Sequence, residues 1–465
     1  MSLIIPANTL SADDGIANSC RFFSDTVMKR TNATTSTNRQ QGCFSTWIKK
    51  CNVSGTGGGI ITGYVNSTNF TVIYFDSDHR LCFLEYQSGS SAGFLRTPNI
   101  FKDPSAWMHI AYLIDTTQGT AADRVKVYIN GTQITSFHSG GTTQPSQDNT
   151  LNLFTASTSL DLGQDTSGSP HFMNGYLAET LLVDGATVAI GDLGEFDEDS
   201  STIWKPKDIS EISVGTNGFY LNYEDSSNLG NAVDGGTDLT ETNLAAADQA
   251  TDTPTNNFCT LNPLEAVTAT TTYAEGNMQG TTSNAARATF AVSNGKWYWE
   301  HKFVNKEAMG GVMAYNGFAP NAYTINALIQ GSNPELVLNG TEQSSWSGDG
   351  TPDALVDNDI LNVALDCDNN RIAFGVNGAW LNATDGSGEW SGTTLNYFSI
   401  SDGYDYAPAF RTGSGTNRVS HMNFGGCPGF AISSGNADAN GYGNFEYSVP
   451  SGFFSLCSKN LAQYG

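Results

Sequence analysis

The chain has 465 residues with 46 acidic against 21 basic, a net charge of −25, and is 39% hydrophobic and 11% aromatic. That length exceeds what one hydrophobic core supports, so two or three domains are expected, and aromatics spread along the whole chain exclude a disordered polypeptide. The acidity argues against sequence-independent nucleic-acid binding, which needs Lys and Arg to neutralise phosphates, and no run is apolar and long enough to span a bilayer.

The first 17 residues read as an N-terminal arm, and "MSLIIPAN" has neither the basic nor the long apolar region of a signal peptide. From there the pattern is that of short strands joined by Gly, Ser, Thr and Asn, with no helical spacing of apolar residues. At 42–49, "GCFSTWIK" intersperses Cys43, Thr46 and Ile48 with Phe44 and Trp47. Gly57, Gly58 and Gly59 run into Ile-Ile-Thr-Gly rather than Lys, which predicts a tight turn and not a phosphate loop. Strands over 70–75 and 80–86 flank Asp76-Ser77-Asp78 as a hairpin. The apolar run 107–115, "WMHIAYLID", suits a sandwich interior and makes His109 a satisfied core residue, whereas His79, His138 and His171 fall near turns. In 124–134, "RVKVYINGTQI", Asn-Gly between alternating apolar residues predicts a type I′ turn. Strands at 160–163 and 175–185 close the first domain.

"FSTWIKK", "WMHIAYLID", "RVKVYINGTQI" and "MNGYLAETLLVDG", in that order, resemble a laminin-G-like or concanavalin A-like jelly roll over residues 18–225. The resemblance implies a sandwich that binds carbohydrate or protein, often with Ca²⁺ at one rim.

Residues 226–262 shift to Asn, Asp, Thr, Ala and Gly and read as a linker. Beyond it, 287–292 and 296–300 flank Asn294-Gly295, and 359–366 and 371–376 flank Asp366-Cys367-Asp368-Asn369-Asn370, followed by Asn377-Gly378. "SNGKWYWE", "DNDILNVALDCDNNRIAFGVNG", "YAPAF" and "HMNFGG" are similar, in sequence, to the SPRY domain over about 264–430, so 263–465 is read as a SPRY-like sandwich with a C-terminal extension. The fold class expected is all-β, two consecutive antiparallel sandwiches. SPRY domains bind partners through loops and have no catalytic residues of their own. The tail at 447–461 resembles the closing segment of marine phage proteins that pair these two domains.

The concanavalin-like fold also hosts glucanases, whose acids sit on one strand as Glu-x-Asp-x-(x)-Glu. Glu195-Phe196-Asp197-Glu198-Asp199 is the nearest match, but it ends in Asp beside Ser200 and Ser201 and reads as a solvated acidic loop. No His-Glu-x-x-His or Gly-Lys-Ser/Thr occurs. Eight cysteines without a CxxC or Cys/His spacing give no zinc site, and Cys82 and Cys367 read as core residues. The protein is therefore expected not to be an enzyme.

Two kinds of binding residue stand out. Asp76 and Asp78 place alternate carboxylates in one turn, a candidate Ca²⁺ site. Trp346 and Trp390 sit in polar, Gly/Ser-rich sequence, where an indole could stack on a pyranose. The resemblance implies a phage virion surface protein of tail-fibre or adhesin type that binds host-surface glycan or protein. The alternative is a head decoration or tail structural protein with no specific ligand, which the short N-terminal arm leaves open; a glycan-degrading enzyme is the third reading. Expected partners are other virion proteins, a host glycan and further copies of the chain, a trimer among the options; neither nucleic acid nor membrane insertion is expected. The expected location is the virion surface, extracellular after release.

Overall fold

The structure is a computed structural model that describes residues 15–465 except 56, 169–170, 266–270, 283–284, 307, 316–325, 331–335, 339–340, 343–354, 383–388 and 413–417. The described residues are nearly all strand and turn, as expected. The chain divides into two compact units, one ending at Thr255 and the other starting at Asn256. Each is described by itself.

The first unit is a sandwich of two eight-stranded sheets. One runs Thr132–Ile134, Val125–Ile129, Trp107–Asp115, Gln41–Lys50, Gly175–Asp184, Ser19–Phe22, Gln249–Ala250, with Phe219–Leu221 also paired to Gly175–Asp184. The other runs Thr142–Thr143, Ser90–Arg96, Leu81–Gln87, Asn69–Phe75, Gly59–Asn66, Ser159–Leu162, Val27–Thr31, Thr240–Thr242. Phe44, Ile48, Ile110 and Leu177 from the first sheet meet Ile61, Ile73, Phe83 and Leu160 from the second in one buried core. Alternation along a strand sends neighbouring side chains to opposite faces. In Gln41–Lys50, however, nine of ten residues are buried. Its outer face is covered too, by Leu193, Ile209 and Val214 packed on Cys43, Leu181 and Val183. That second cover explains why Trp107–Asp115 reads as an almost unbroken apolar run.

The segment 226–262, expected to be a linker, is instead divided between the units and built into both. Leu229, Ala232 and Leu239 enter the first core. Thr240–Thr242 pairs with Val27–Thr31, and Gln249–Ala250 with Ser19–Phe22. Three carboxylate contacts lock this returning chain. Arg21 donates from Nε and Nη2 to Asp248 Oδ1 at 3.1 and 2.9 Å. Lys49 Nζ and Asp252 Oδ2 meet at 2.6 Å, with side chains 0% and 2% exposed. Trp107 Nε1 donates to the other Asp252 oxygen at 2.9 Å. Polar composition suggested a solvated link; these acids are polar because they neutralise buried cations. From 256 onwards the chain belongs to the second unit, where Phe258, Cys259 and Leu261 are buried.

The second unit has a ten-stranded and a six-stranded sheet. In the larger, Lys296–Phe303 lies between Ile360–Asp366 and Arg418–Asn423, and Arg371–Val376 follows Ile360–Asp366. In the smaller, Asp405–Thr412 pairs with both Ala285–Arg287 and Ala308–Tyr315. Trp297, Trp299, Leu361, Val363, Phe374 and Phe410 share its core. The C-terminal extension is integral: Phe454–Ser455 pairs in parallel with Lys296–Phe303, and buried Glu300 accepts the Glu446 and Tyr447 N–H groups at 3.0 and 2.8 Å.

The Asn-Gly dipeptides at 130–131, 294–295 and 377–378 divide by topology. Asn130-Gly131 and Asn377-Gly378 have positive φ at both residues (46° and 71°, 50° and 83°), as a type I′ turn requires. At 294–295 only Gly295 does (80°), because the strands on either side belong to different sheets.

Breaking a buried ion pair from one side leaves a charge stranded. Asp252→Ala is therefore expected to destabilise the first unit by about 3–5 kcal/mol, with Lys49→Met/Asp252→Leu recovering much of the loss, measured by urea unfolding.

Candidate functional site

One rim of the first sandwich gathers the turn after Asn69–Phe75, the chain leading into Trp107–Asp115 and the end of Gln41–Lys50. The turn closes by Asp76 N–H to Arg80 O and His79 N–H to Asp76 O, with His79 at φ 61°. His79 O then accepts the Phe101 N–H at 2.9 Å, tying the 97–106 loop to this turn.

Asp76 and Asp78 are brought together as the sequence suggested, but a guanidinium lies on both. Arg96 Nε is paired with Asp76 Oδ2 and Arg96 Nη2 with Asp78 Oδ2. Asp76 Oδ1 accepts the N–H groups of Asp78 and Arg80, each at 2.9 Å. Burial works to raise the Asp76 carboxyl, but the Arg80 N–H and Arg96 outweigh it and hold it below the usual carboxylate range. A Ca²⁺ ion here would have to displace Arg96. Among the described residues no group of three or more His, Cys, Asp or Glu side chains is arranged to hold a metal.

Beside this turn lies an open cleft of about 230 Å³, lined among others by Lys50, Ile100, Phe101, Lys102, Trp107 and Met108. Lys50 and Lys49 are consecutive and point to opposite faces of the strand. Lys49 finds Asp252; Lys50, only 5% exposed, finds no carboxylate among the described residues. Its ammonium donates to Asn52 O, meets His79 Nδ1 at 2.9 Å and lies 5.3 Å from the Phe75 ring centre. Burial lowers the Lys50 pKa to about 8, with the Lys102 charge acting in the same direction and Cys51 opposing it. Burial and the two ammonium charges also lower His79 to about 4, so its ring is neutral and accepts from Lys50. His79, expected as an ordinary turn residue, is thus 2% exposed and holds the Lys50 ammonium from behind the cleft.

The remaining candidates lie elsewhere. Trp390 is in the second unit, half-buried in Trp390–Gly392 and packed against the core. Trp346 lies outside the described residues. The acidic stretch at 195–199 begins in a strand: Gly194–Phe196 pairs with Trp204–Pro206, and Glu195 and Asp197 pair with Lys207 and Lys205 at 3.2 Å each. Glu85, raised by burial to about 8, accepts from Thr71, Gln87 and Asn152 and pins the Asn152 segment. One pair does resemble a nucleophile and base: Ser45 Oγ lies 2.8 Å from His109 Nε2. The indole N–H of Trp204, which can only donate, points at His109 Nδ1 at 3.2 Å. The imidazole proton is therefore on Nε2 and is donated to Ser45, the reverse of what activating that hydroxyl would need.

The lysine cleft was not found from sequence. The signal present was the doublet Lys49-Lys50 closing an otherwise apolar strand, with a second lysine and two large apolar residues at 100–102.

Residues 24–189 match the family described as the Concanavalin A-like lectin/glucanases superfamily. The first unit has a concanavalin A-like, laminin-G-like fold. Similar solved structures include the pentraxin of Limulus polyphemus (17% identity over 38% of this chain and 80% of that chain, TM-score 0.28). The SPRY domain of human HERC1 is 16% identical over 32% of this chain and 88% of that chain, TM-score 0.24. Mouse laminin alpha1 chain, domains LG4-5, is 10% identical over 96% of this chain and 98% of that chain, TM-score 0.31. No curated protein matches the chain.

Two outcomes are expected. Millimolar Ca²⁺ leaves the melting temperature unchanged in a thermal-shift measurement, because Arg96 already neutralises Asp76 and Asp78. His109, held by burial near a pKa of about 3 against about 6.5 unfolded, favours folding fully above pH 6.5 and loses that contribution as the pH falls toward 3. Ring ¹⁵N shifts should show the Nε2–H tautomer at pH 7 and no titration until well below pH 5.

Proposed function

We propose that the chain is a surface protein of a phage particle, of tail-fibre or adhesin type, whose first sandwich binds host-surface glycan at the rim holding Lys50 and Phe101. The observation that carries the binding half of this reading is the cleft itself. It is concave, walled by Phe101, Trp107 and Met108, and provided with a few polar groups, which is the usual make-up of a small-ligand site. Ile100, 53% exposed at its edge, adds apolar surface of the kind that lies against a sugar face. At about 230 Å³ the cleft lies below the roughly 300–1,000 Å³ of drug-sized pockets, which suits one sugar unit of a longer chain. Binding without catalysis is supported by the uses found for the candidate groups: Glu195, Asp197, Glu85 and His109 all hold structure. The particle setting rests on the order of the two domain resemblances in the sequence.

A glycan array on the purified chain, with and without Ca²⁺, tests the binding. Host-surface polysaccharide should be retained equally in both conditions, and Ile100→Ser should lower the signal while leaving the melting temperature unchanged. No retention of any glycan would remove the adhesin reading and favour the decoration role. Antibody labelling of assembled particles tests the setting.

A further inference from the structure

Lys50 is a buried cation of this rim that no carboxylate among the described residues answers. Arg96 has Asp76 and Asp78, and Lys49 has Asp252. Lys50, equally buried, is given a carbonyl and a neutral imidazole, and a second ammonium, Lys102, on the same cleft wall. Asp103 also lines the cleft, but its Oδ1 is taken by the N–H and hydroxyl of Ser105. Burying a charge without a counterion is costly. A chain with 46 acidic residues had many side chains that could have supplied one. The missing partner fits a ligand that brings its own negative charge.

We propose that this cleft binds a sugar-sized ligand through one anionic group, a carboxylate or a sulfate, placed between the ammonium groups of Lys50 and Lys102. The assignment rests on the reading of the rim as a glycan-binding face and adds to it the class of sugar recognised. The carbons of the ring lie against Ile100, Phe101 and Met108, and the anion reaches the buried ammonium. Loss of hydration at Lys50 strengthens the contact, since charges attract more strongly away from water. His79 acts as a positioning residue: as a neutral acceptor it orients the Lys50 ammonium without competing for its charge.

Titration calorimetry of the full chain with D-glucuronate, glucose 6-sulfate and glucose tests this. At least one acidic sugar should bind about tenfold or more tightly than glucose, the scale of one charge-assisted hydrogen bond, and the two acidic arms identify the group. Lys50→Met keeps the length of the side chain and should abolish that preference. Lys102→Ala, at an exposed position, should weaken the acidic sugar a few-fold and reports on the charge even if the Lys50 variant folds poorly. The pH profile is the signature of an ammonium anchor. Facing Lys50 and its neighbour His79 are Cys51, Lys102, Asp76 and Asp78, and His79 with its pKa near 4 stays neutral above pH 6. Wild-type affinity for the acidic sugar should be level below pH 8 and fall by up to about tenfold per pH unit above it as Lys50 loses its proton, and Lys50→Met should show no such fall. Equal binding of glucose and both acidic sugars, unchanged in Lys50→Met, would overturn the charge assignment and leave the rim as a neutral-glycan site. Failure of all three sugars to bind, together with a blank glycan array, would overturn both.

Discussion

The buried contact of Lys49 with Asp252 and Trp107 is the constraint on which the first sandwich depends. It joins residues 203 positions apart in sequence, and it brings the end of the unit back onto the strand that runs through the middle of its sheet. A fully buried ammonium is tolerated only because a carboxylate and an indole N–H complete the arrangement, and its Nζ lies 6.0 Å from the Tyr176 ring centre. Arg21 with Asp248 repeats the device four residues earlier. Together they convert a polar, Gly-rich stretch into a closing strap with two short strands. The boundary at Thr255 follows directly, because the last tie to the first core is made just before it.

Where the chain alternates strongly, the sequence was enough to place strands. The runs through Trp47, Ile110, Val127, Leu181, Trp299, Val363 and Phe374 all lie in sheets where expected. Of the Asn-Gly pairs at 130–131, 294–295 and 377–378, the first and last form the turns their chemistry favours. What escaped were short or polar strands such as Val27–Thr31, Thr240–Thr242 and Gln249–Ala250, which carry too few residues to show a period. Their placement comes from partners far along the chain. The acids at 248 and 252 look identical in sequence to solvated surface acids, and only the fold brings Arg21 and Lys49 to them. The same limit hid the outer cover on Gln41–Lys50, which depends on the distant 193–214 segment.

The candidate site was legible to the same degree. Asp76 and Asp78 lie together in one turn, since i and i+2 carboxylates in a tight turn share an aspect whatever the rest of the protein does. Whether such a cluster awaits a metal or an arginine is decided by Arg96, supplied by a neighbouring strand. The cleft itself joins residues from 50, 100–108 and 129–130, so no local pattern could display it. Trp390, chosen because its sequence surroundings are polar, packs on the second core: a polar neighbourhood along the chain does not prevent a side chain from turning inward.

A protein with net charge −25 repels anions at long range, and that bears on how it could select one. At physiological ionic strength charges are screened over roughly 8 Å, so distant carboxylates contribute little once a ligand has reached the rim. The local groups then decide, and they differ sharply over a few ångströms. On one side Arg96 is saturated by two carboxylates; on the other Lys50 and Lys102 are not. A scattered basic surface would attract polyanions generally and lose them as salt rises. A single recessed ammonium behind apolar walls instead discriminates at contact range, where dehydration matters more than the overall field, and the surrounding acidity disfavours large polyanions that cannot enter the cleft. Specificity for one acidic sugar unit on an otherwise anion-repelling protein is the consequence of answering the charge of Lys49 and leaving that of Lys50 open.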